Sequence, residues 1–309
     1  MLRIGTRRSA LALAQARSVA DLLAAAGAPA ELVPIATAGD AGSAARAERL
    51  TGGAVAGGDA GPAGRKGSFV GEIVRALADG AVDLAVHSAK DLPAEDPDGV
   101  VTAAIPERAD PFDVLITRDE ELAPGAVLGT SSLRRRNQAL RWRADVRVVD
   151  LRGNVDTRLR RLADGDVDGL LLAGAGLARL GVIPLHARGM DVDDMVPAPG
   201  QGALAVQTRS ADASVLEIVR LLDHPASRDA FEAERAVVRA LGADCALPLG
   251  VYAVPGSGGI RLRAAVVDGE GAAAEADVTA TTPAAAADAA VRALLAAGAE
   301  PMLAAAREP

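Results

Sequence analysis

The sequence predicts an α/β protein with two doubly wound domains, followed by a small α+β domain at the C-terminal end. Strand and helix patterns alternate over most of the chain in two similar series, and from Ala226 the pattern changes to a helix, short strands and a final helix. A chain of 309 residues that is 50% hydrophobic is also long enough to bury a core in each unit.

The first series opens with a strand, a helix and a second strand. "LRIGT" predicts the first strand, and the helix that follows has Ser9 as its N-cap and Gly27 beyond its last turn. "ELVPIAT" predicts a second strand, parallel to the first because a helix connects them. After a Gly- and Ala-rich loop, a helix from about Ser68 to Asp79 leads into the strand "VDLAVHSA".

The second series repeats this alternation. Strands are predicted at "DVLIT", "AVLGT", "VRVVDL" and "DGLLLA", with helices at "SLRRRNQALRW" and "NVDTRLRRLADG" and a further helix after the last strand. In the final unit, short strands near "LPLGVYAV", "GIRLRAAVVD" and "AEADVTA" lie between two helices. We expect a ligand cleft between the first two units, because open α/β sheets bind ligands at the carboxyl ends of their strands.

Composition excludes several classes of protein. A formal net charge of -8 and an aromatic content of 2% argue against nucleic-acid binding, since single-strand binders combine positive charge with stacking rings. No apolar run approaches the roughly 20 residues of a membrane span, and no signal-peptide pattern opens the sequence, so we expect a cytoplasmic protein without membrane contact. The single cysteine, Cys245, excludes an internal disulfide and a multi-cysteine metal site, and we expect no metal.

Ten arginines lie between residues 134 and 161 of this acidic chain. The first of them follow "VLGT", a strand that ends at Thr130, after which Ser131 and Ser132 cap a helix with Arg134 and Arg135 in its first turn. A helix N-terminus offers free N–H groups and a partial positive charge, and guanidinium groups add paired donors. This arrangement predicts a binding site for carboxylates or phosphates.

The same construction recurs after the next strand. "VVDLRGN" places Arg152 at the end of a strand, and Arg158 follows in the first turns of the helix. A solvated helix face is the alternative explanation, and it fits Arg136, Arg160 and Arg161 better. The partner that this pattern indicates is a small polyanion.

Another group of polar residues ends the strand in "AVHSAKDLP". Ser88, Lys90 and Asp91 lie at the carboxyl edge of the first sheet. The Asp91 carboxylate could stabilise a developing cation or transfer a proton. The alternative is that Asp91 only caps the next turn. Lys90 and Lys66 are the only lysines beside 31 arginines, which favours a specific role for each over chance retention on a solvated surface.

Two loops complete the pattern. "PAPGQGALAVQ", which contains Gln201, predicts a crossover from the second unit back to the first, where a hinge would belong. "LGADCALPLG" places Cys245 in a loop between a helix and a strand. A lone cysteine is most often a small buried hydrophobe, but this loop position favours a reactive or modified thiol.

Eight segments occur in an order typical of one family: "RIGTRRSALALAQA", "TAGD", "RKGSFVGEI", "AVHSAKDLP", "GTSSLRRRNQAL", "DLRGNVDTRL", "PAPGQGALAVQ" and "GADCALPLG". From about residue 2 to 250 the chain thus resembles the porphobilinogen deaminases, or hydroxymethylbilane synthases, of tetrapyrrole, porphyrin and haem biosynthesis. The resemblance implies a transferase that joins four porphobilinogen units head to tail with loss of ammonia. The linear hydroxymethylbilane would grow on a covalently attached dipyrromethane cofactor.

The resemblance also implies roles for individual residues. Asp91 matches the catalytic aspartate, which stabilises positive charge on the pyrrole as the azafulvene forms, and Cys245 matches the residue that holds the cofactor by a thioether. Lys66 matches a flexible lysine of the active site. The other residues implied to bind cofactor and substrate are Arg7, Ser88, Lys90, Thr130, Ser131, Ser132, Arg134, Arg135, Arg152, Arg158 and Gln201.

The family resemblance further implies a monomer with two periplasmic-binding-protein-like doubly wound domains and a small α+β domain. We expect the first domain to comprise residues 1–104 and 200–221, the second 105–199 and the third 222–309. Two rival functions remain at this point: a non-catalytic protein that binds a small anion in the same cleft, and an RNA-binding module that uses the arginines with a steep dependence on salt.

Overall fold

The computed structural model describes residues 1–37, 71–243 and 246–307. The first unit is a sheet in the order β2-β1-β3-β10-β4, in which β1 pairs in parallel with β2 and β3, while β10 runs antiparallel to β3 and β4. Its elements are β1 (Leu2–Arg7), α1 (Ala10–Ala25), β2 (Ala30–Ile35), α2 (Gly71–Ala78), β3 (Leu84–Ser88), β4 (Val100–Ala104), β10 (Leu204–Arg209) and α6 (Ala213–Arg220).

The predicted β-α-β unit at the start of the chain is confirmed. Ser9 caps α1 by accepting a hydrogen bond from Ala12 N, and Gly27, with φ of 82°, takes the left-handed conformation just after the helix. Helices α1 and α6 pack on one face of the sheet and α2 on the other, each through buried aliphatic side chains. The helix predicted from Ser68 is described from Gly71 onward.

The second unit is a sheet in the order β7-β6-β8-β5-β9, with β7, β6 and β8 parallel and β5 antiparallel to both of its neighbours. Helix α3 packs on one face, and α4 and α5 pack on the other. Its elements are β5 (Asp113–Thr117), β6 (Val127–Gly129), α3 (Leu133–Trp142), β7 (Arg147–Val149), α4 (Val155–Ala163), β8 (Gly169–Ala173), α5 (Gly174–Arg179) and β9 (Ala187–Gly189).

The third unit is an antiparallel sheet of three strands in the order β11-β12-β13. Three helices cover one face with a core of Ala, Val and Leu, and the other face packs through Ala265 and Val267 against Val196 of the second unit. The elements are α7 (Pro225–Ala240), β11 (Leu249–Gly256), β12 (Gly259–Val267), β13 (Ala273–Ala280), α8 (Pro283–Ala296) and α9 (Ala299–Ala305). The predicted fold class, two doubly wound units and a small α+β unit, is confirmed.

The chain crosses twice between the first two units, before β5 and again before β10. Glu234 of α7 is fully buried where these crossovers meet the third unit. Its carboxylate accepts hydrogen bonds from Arg108 Nη1 (2.7 Å), Gly200 N (2.6 Å) and Ala253 N (2.8 Å). One buried charge therefore ties both crossovers to the third sheet, and the carboxyl ends of β3 and β6 are held close to each other.

Candidate functional site

Two adjoining cavities lie where the three units meet. The larger, of about 480 Å³, lies between the turn after β3, the start of α3, the second crossover and α7. The smaller, of about 260 Å³, lies between α1, α4, α5 and the same crossover. Lys90, Arg135 and Gly200 line both cavities, so a ligand could extend from one into the other.

The turn after β3 carries Asp91 to the larger cavity. Strand β3 ends at Ser88, and residues Ala89–Asp91 form one turn of 3₁₀ helix, a conformation that exposes the Asp91 side chain to the cavity. Gly200 packs against this turn with φ of 73°, and a Cβ there would lie 3.0 Å from Lys90 N. Only glycine combines that left-handed conformation with so close an approach.

Lys90, which precedes Asp91 in the turn, lines both cavities. Burial lowers the pKa of its ammonium group to about 8, and the positive charge of Arg135 acts in the same direction. Its Nζ donates a hydrogen bond to Gln201 Oε1 at 3.3 Å. Near neutral pH this lysine is therefore a cation that releases its proton more readily than an exposed lysine does.

The start of α3 forms as the sequence predicts. The Ser132 side chain caps the helix by accepting a hydrogen bond from Arg135 N, and Thr130 Oγ1 accepts one from Ser132 N at 3.2 Å. Arg134 and Arg135 occupy the first turn, but their guanidinium groups are buried, with only 3% and 7% of each residue exposed. Burial of two positive charges requires an internal partner.

That partner is Asp113, the first residue of β5, which is fully buried. Its carboxylate lies 2.7 Å from Arg134 Nη1 and 2.8 Å from Arg135 Nη2, and it accepts a hydrogen bond from Gln201 Nε2 at 2.9 Å. Burial by itself would raise the pKa of Asp113, but the charges of Arg134 and Arg135 outweigh it and hold the pKa well below its usual range. The carboxylate is therefore ionised and keeps both arginines in place.

The arginines of the next helix occupy different places. Arg158 lines the smaller cavity, where its Nη2 donates to Ser131 Oγ at 3.1 Å, and burial lowers its pKa. Arg152 is exposed and pairs with Asp150 at 2.8 Å, outside the linings of both cavities. Arg136 and Arg160 are exposed, as the solvated-face interpretation predicts.

Further polar residues line the smaller cavity. Arg7 and Ser88 line it, as does Gln15, whose Nε2 donates to Ser88 Oγ at 2.8 Å. Arg179, at the end of α5, also lines it and donates to Gly202 O at 2.6 Å. Sequence reasoning missed Gln15 and Arg179, because both lie within helices rather than at strand ends.

Lys66, Cys245 and the Gly- and Ala-rich loop (41–64), which the sequence singles out, lie outside the residues that the structure describes. Within the ranges that the structure describes, no group of three or more acidic, histidine or cysteine side chains could hold a metal ion. Across those same ranges, every helix is too short or too polar to cross a membrane.

Two family models match most of the chain. One is described as "Porphobilinogen deaminase, dipyromethane cofactor binding domain" and matches residues 2–217, and the other is described as "Porphobilinogen deaminase, C-terminal domain" and matches residues 229–297. The porphobilinogen deaminase of Brevibacillus brevis is 44% identical over 260 residues, which cover 82% of this chain and 80% of the relative. That of Thermus thermophilus is 43% identical over 275 residues, or 87% and 85% of the two chains.

Solved structures give a weaker likeness. A periplasmic substrate-binding protein of an ABC transporter from Coxiella burnetii has a TM-score of 0.42 and 17% identity, over 74% of this chain and 94% of that one. The methionine-binding protein MetQ has a TM-score of 0.42 and 12% identity, over 72% and 89%.

The Asp113→Asn variant tests the buried ion pairs. It should lower the free energy of unfolding by about 3 kcal/mol at pH 7, because two buried guanidinium groups lose their counter-charge. The pKa of Asp113 is lowered in the folded state, so its contribution is present above about pH 4 and is lost as the pH falls further. Urea unfolding of wild type and variant at pH 7 and below pH 4 measures both effects.

Asp166→Asn is the matched control, because Asp166 pairs with Arg161 on the exposed face of α4. This variant should unfold almost as the wild type does. Equal losses of stability in the two variants would contradict the assignment of Asp113 as the internal counter-charge.

Proposed function

The chain belongs to the porphobilinogen deaminase family, and we propose that it joins four porphobilinogen units head to tail into hydroxymethylbilane at the two adjoining cavities. The observation that carries this proposal is the juxtaposition at Gln201. The Gln201 side-chain oxygen accepts hydrogen bonds from Lys90 and from Arg135. Lys90 shares its turn with Asp91, and Arg135 belongs to the buried pair with Arg134, and all four residues line the larger cavity. One ligand could thus meet a carboxylate and several carboxylate-binding cations at once.

The larger cavity suits the dipyrromethane group that the family's cofactor-binding domain implies. Each pyrrole of that group bears an acetate and a propionate, so it needs cations beside an apolar wall. Arg134 Nε is buried and has no hydrogen-bond partner among the described residues, and Leu92, Phe231 and Leu247 supply apolar lining. The residues present therefore fit the group.

We propose that Lys90, Ser132, Arg134 and Arg135 would hold the group's carboxylates, with the attachment at Cys245. When bound, the group supplies the free pyrrole position on which a chain can be extended. Because Asp113 fixes the two guanidinium groups before any ligand enters, they contribute a preorganised positive field rather than flexible side chains.

The smaller cavity would receive the substrate. Its cations are Arg7, Arg158 and Arg179, together with Lys90 and Arg135, which it shares with the larger cavity. Two carboxylates on a small ring can each be bound by a separate arginine, which fixes the orientation of the ring. Arg152, Thr130, Ser131 and Lys66 remain proposed members of the site on the family resemblance.

Asp91 would stabilise the positive charge that develops on the substrate pyrrole as ammonia leaves. Its side chain is exposed to the larger cavity and immediately follows Lys90 in the turn. A carboxylate aimed at a developing cation lowers the barrier, because the attraction grows as the charge forms. Lys90, with a pKa of about 8, could give a proton to the departing amine.

The three sheets support a division of the chain into three domains. We propose that residues 1–104 and 200–221 form the first domain, 105–199 the second and 222–309 the third, which agrees with the strand content of each sheet. We also propose that the protein acts as a monomer in the cytoplasm.

Asp91→Asn should lower kcat for porphobilinogen by roughly 100- to 1000-fold, because the amide keeps the shape but lacks the charge. Folding and the mass of the attached group should stay as in the wild type. Asp98→Asn is the control, since Asp98 is an exposed carboxylate later in the same loop. Steady-state kinetics decide, and near-normal turnover by Asp91→Asn would refute its role.

Arg158→Gln and Arg160→Gln separate the two faces of α4. Arg158 lines the smaller cavity, whereas Arg160, two residues on, is exposed. Loss of a charged hydrogen bond to substrate should raise KM roughly 10- to 100-fold in Arg158→Gln, and Arg160→Gln should bind as the wild type does. If both variants change KM equally, the assignment of the smaller cavity to substrate is wrong.

The covalent state of Cys245 tests the whole proposal. A thioether survives denaturation and thiol reductants, so the denatured protein should weigh more than its sequence by two porphobilinogen units less two ammonia. Peptide mapping should place the addition on "GADCALPLG". Cys245→Ala should appear at the bare sequence mass and make no product, whereas an unmodified, alkylatable thiol in active wild type would exclude this attachment.

A further inference from the structure

The segment that follows Asp91 is fixed to the rest of the protein by a second carboxylate, Asp96. Its Oδ2 accepts a hydrogen bond from Thr102 N at 2.7 Å. Its Oδ1 accepts from Thr102 Oγ1 and Gln207 Nε2, each at 2.9 Å. These donors belong to β4 and β10, so Asp96 joins the loop to two neighbouring strands of the first sheet.

A further donor to Asp96 comes from the third unit. Arg235 of α7 donates from Nη2 to Asp96 Oδ1 at 3.1 Å and from Nε to the carbonyl oxygen of Ala94 at 2.9 Å. Its side chain is only 9% exposed, and its guanidinium lies 5.2 Å from the centre of the Phe231 ring. The planar guanidinium thus holds a backbone carbonyl and a side chain of the same loop at once.

The packing beneath the loop comes from the same helix. Leu92, the residue after Asp91, packs against a buried cluster that contains Phe231. Phe231 and Arg235 are four residues apart in α7 and therefore lie on one face of that helix. At its other end the turn is fixed by the hydrogen bond from Ala89 N to Ala203 O at 3.0 Å.

We propose that Arg235, acting through Asp96 and Ala94, is a positioning residue for Asp91, so that helix α7 of the third unit sets where the catalytic carboxylate lies. This inference rests on the proposed function, because it concerns the carboxylate assigned to the reaction. Asp91 itself is exposed to the cavity, and its position depends on the contacts at the two ends of its segment. In the sequence, the proposed attachment residue Cys245 follows soon after helix α7.

Loss of the Arg235 contacts should therefore act on kcat rather than on binding. A displacement of about 1 Å in a catalytic group can cost roughly 100-fold in rate. We expect Arg235→Ala to lower kcat roughly 10- to 100-fold, with KM within about twofold of wild type. Arg235 also lines the larger cavity, but its guanidinium bonds Asp96 and the carbonyl oxygen of Ala94, so the mass of the group attached to the protein should not change.

The double variant Arg235→Ala/Asp91→Asn separates positioning from general damage. If Arg235 acts through Asp91, its loss should add little once Asp91 has lost its charge, so the double variant should match Asp91→Asn alone. Equal fold-reductions in both backgrounds would overturn the inference. Arg239→Ala is the matched control, because Arg239 is an exposed arginine one turn further along α7, and its kcat should equal that of the wild type.

Arg235→Lys serves if the alanine variant does not fold. Lysine keeps the positive charge but lacks the planar guanidinium that bonds Asp96 and Ala94 at once. The kcat should therefore fall to a value between those of the wild type and the alanine variant. A folded Arg235→Lys with wild-type kcat would overturn the inference. The proposed function would stand in that case, because it requires only that the wild-type protein itself converts porphobilinogen. Absence of turnover in the wild type would overturn both.

Discussion

The buried carboxylate of Asp113 is the interaction on which the site depends. Arg134 and Arg135 lie in the first turn of α3, after its Ser132 cap, so the fold buries two positive charges almost completely. Two such charges are costly to bury without a partner, and a single carboxylate 2.7 and 2.8 Å away supplies it. One negative charge against two positive ones leaves a surplus that faces the larger cavity.

Gln201 connects these buried charges to the first unit through hydrogen bonds. Its amide nitrogen donates to Asp113, while its oxygen accepts from Arg135 and, at 3.3 Å, from Lys90. One neutral side chain therefore touches the internal counter-charge, an arginine of the second unit and the lysine beside Asp91. Since Gln201 lies in the second crossover, the buried arginine pair and the turn with Asp91 meet at a point where the chain passes between units.

The cations of the site differ in how firmly they are held. Arg134 and Arg135 are buried and internally paired, so a ligand meets them already in place. Arg158, in the lining of the smaller cavity, has polar contacts but no carboxylate partner among the described residues. In the proposed function, the fixed pair suits a resident group, and the less constrained Arg158 suits a ligand that must enter and move on.

The sequence by itself determined the alternation of strands and helices, the serine cap of α3 and the position of Asp91 at the end of a strand, because each depends on local patterns of a few residues. It also determined the family, through eight ordered segments. Tertiary structure alone decided that Asp113 is the counter-charge, that Arg179 reaches the smaller cavity and that Arg152 lies outside it. Strands β4, β9 and β10 likewise went unpredicted. Their hydrogen bonds, like the ion pairs, join residues far apart in the chain, and spacing along a sequence does not specify which distant residue will be the partner.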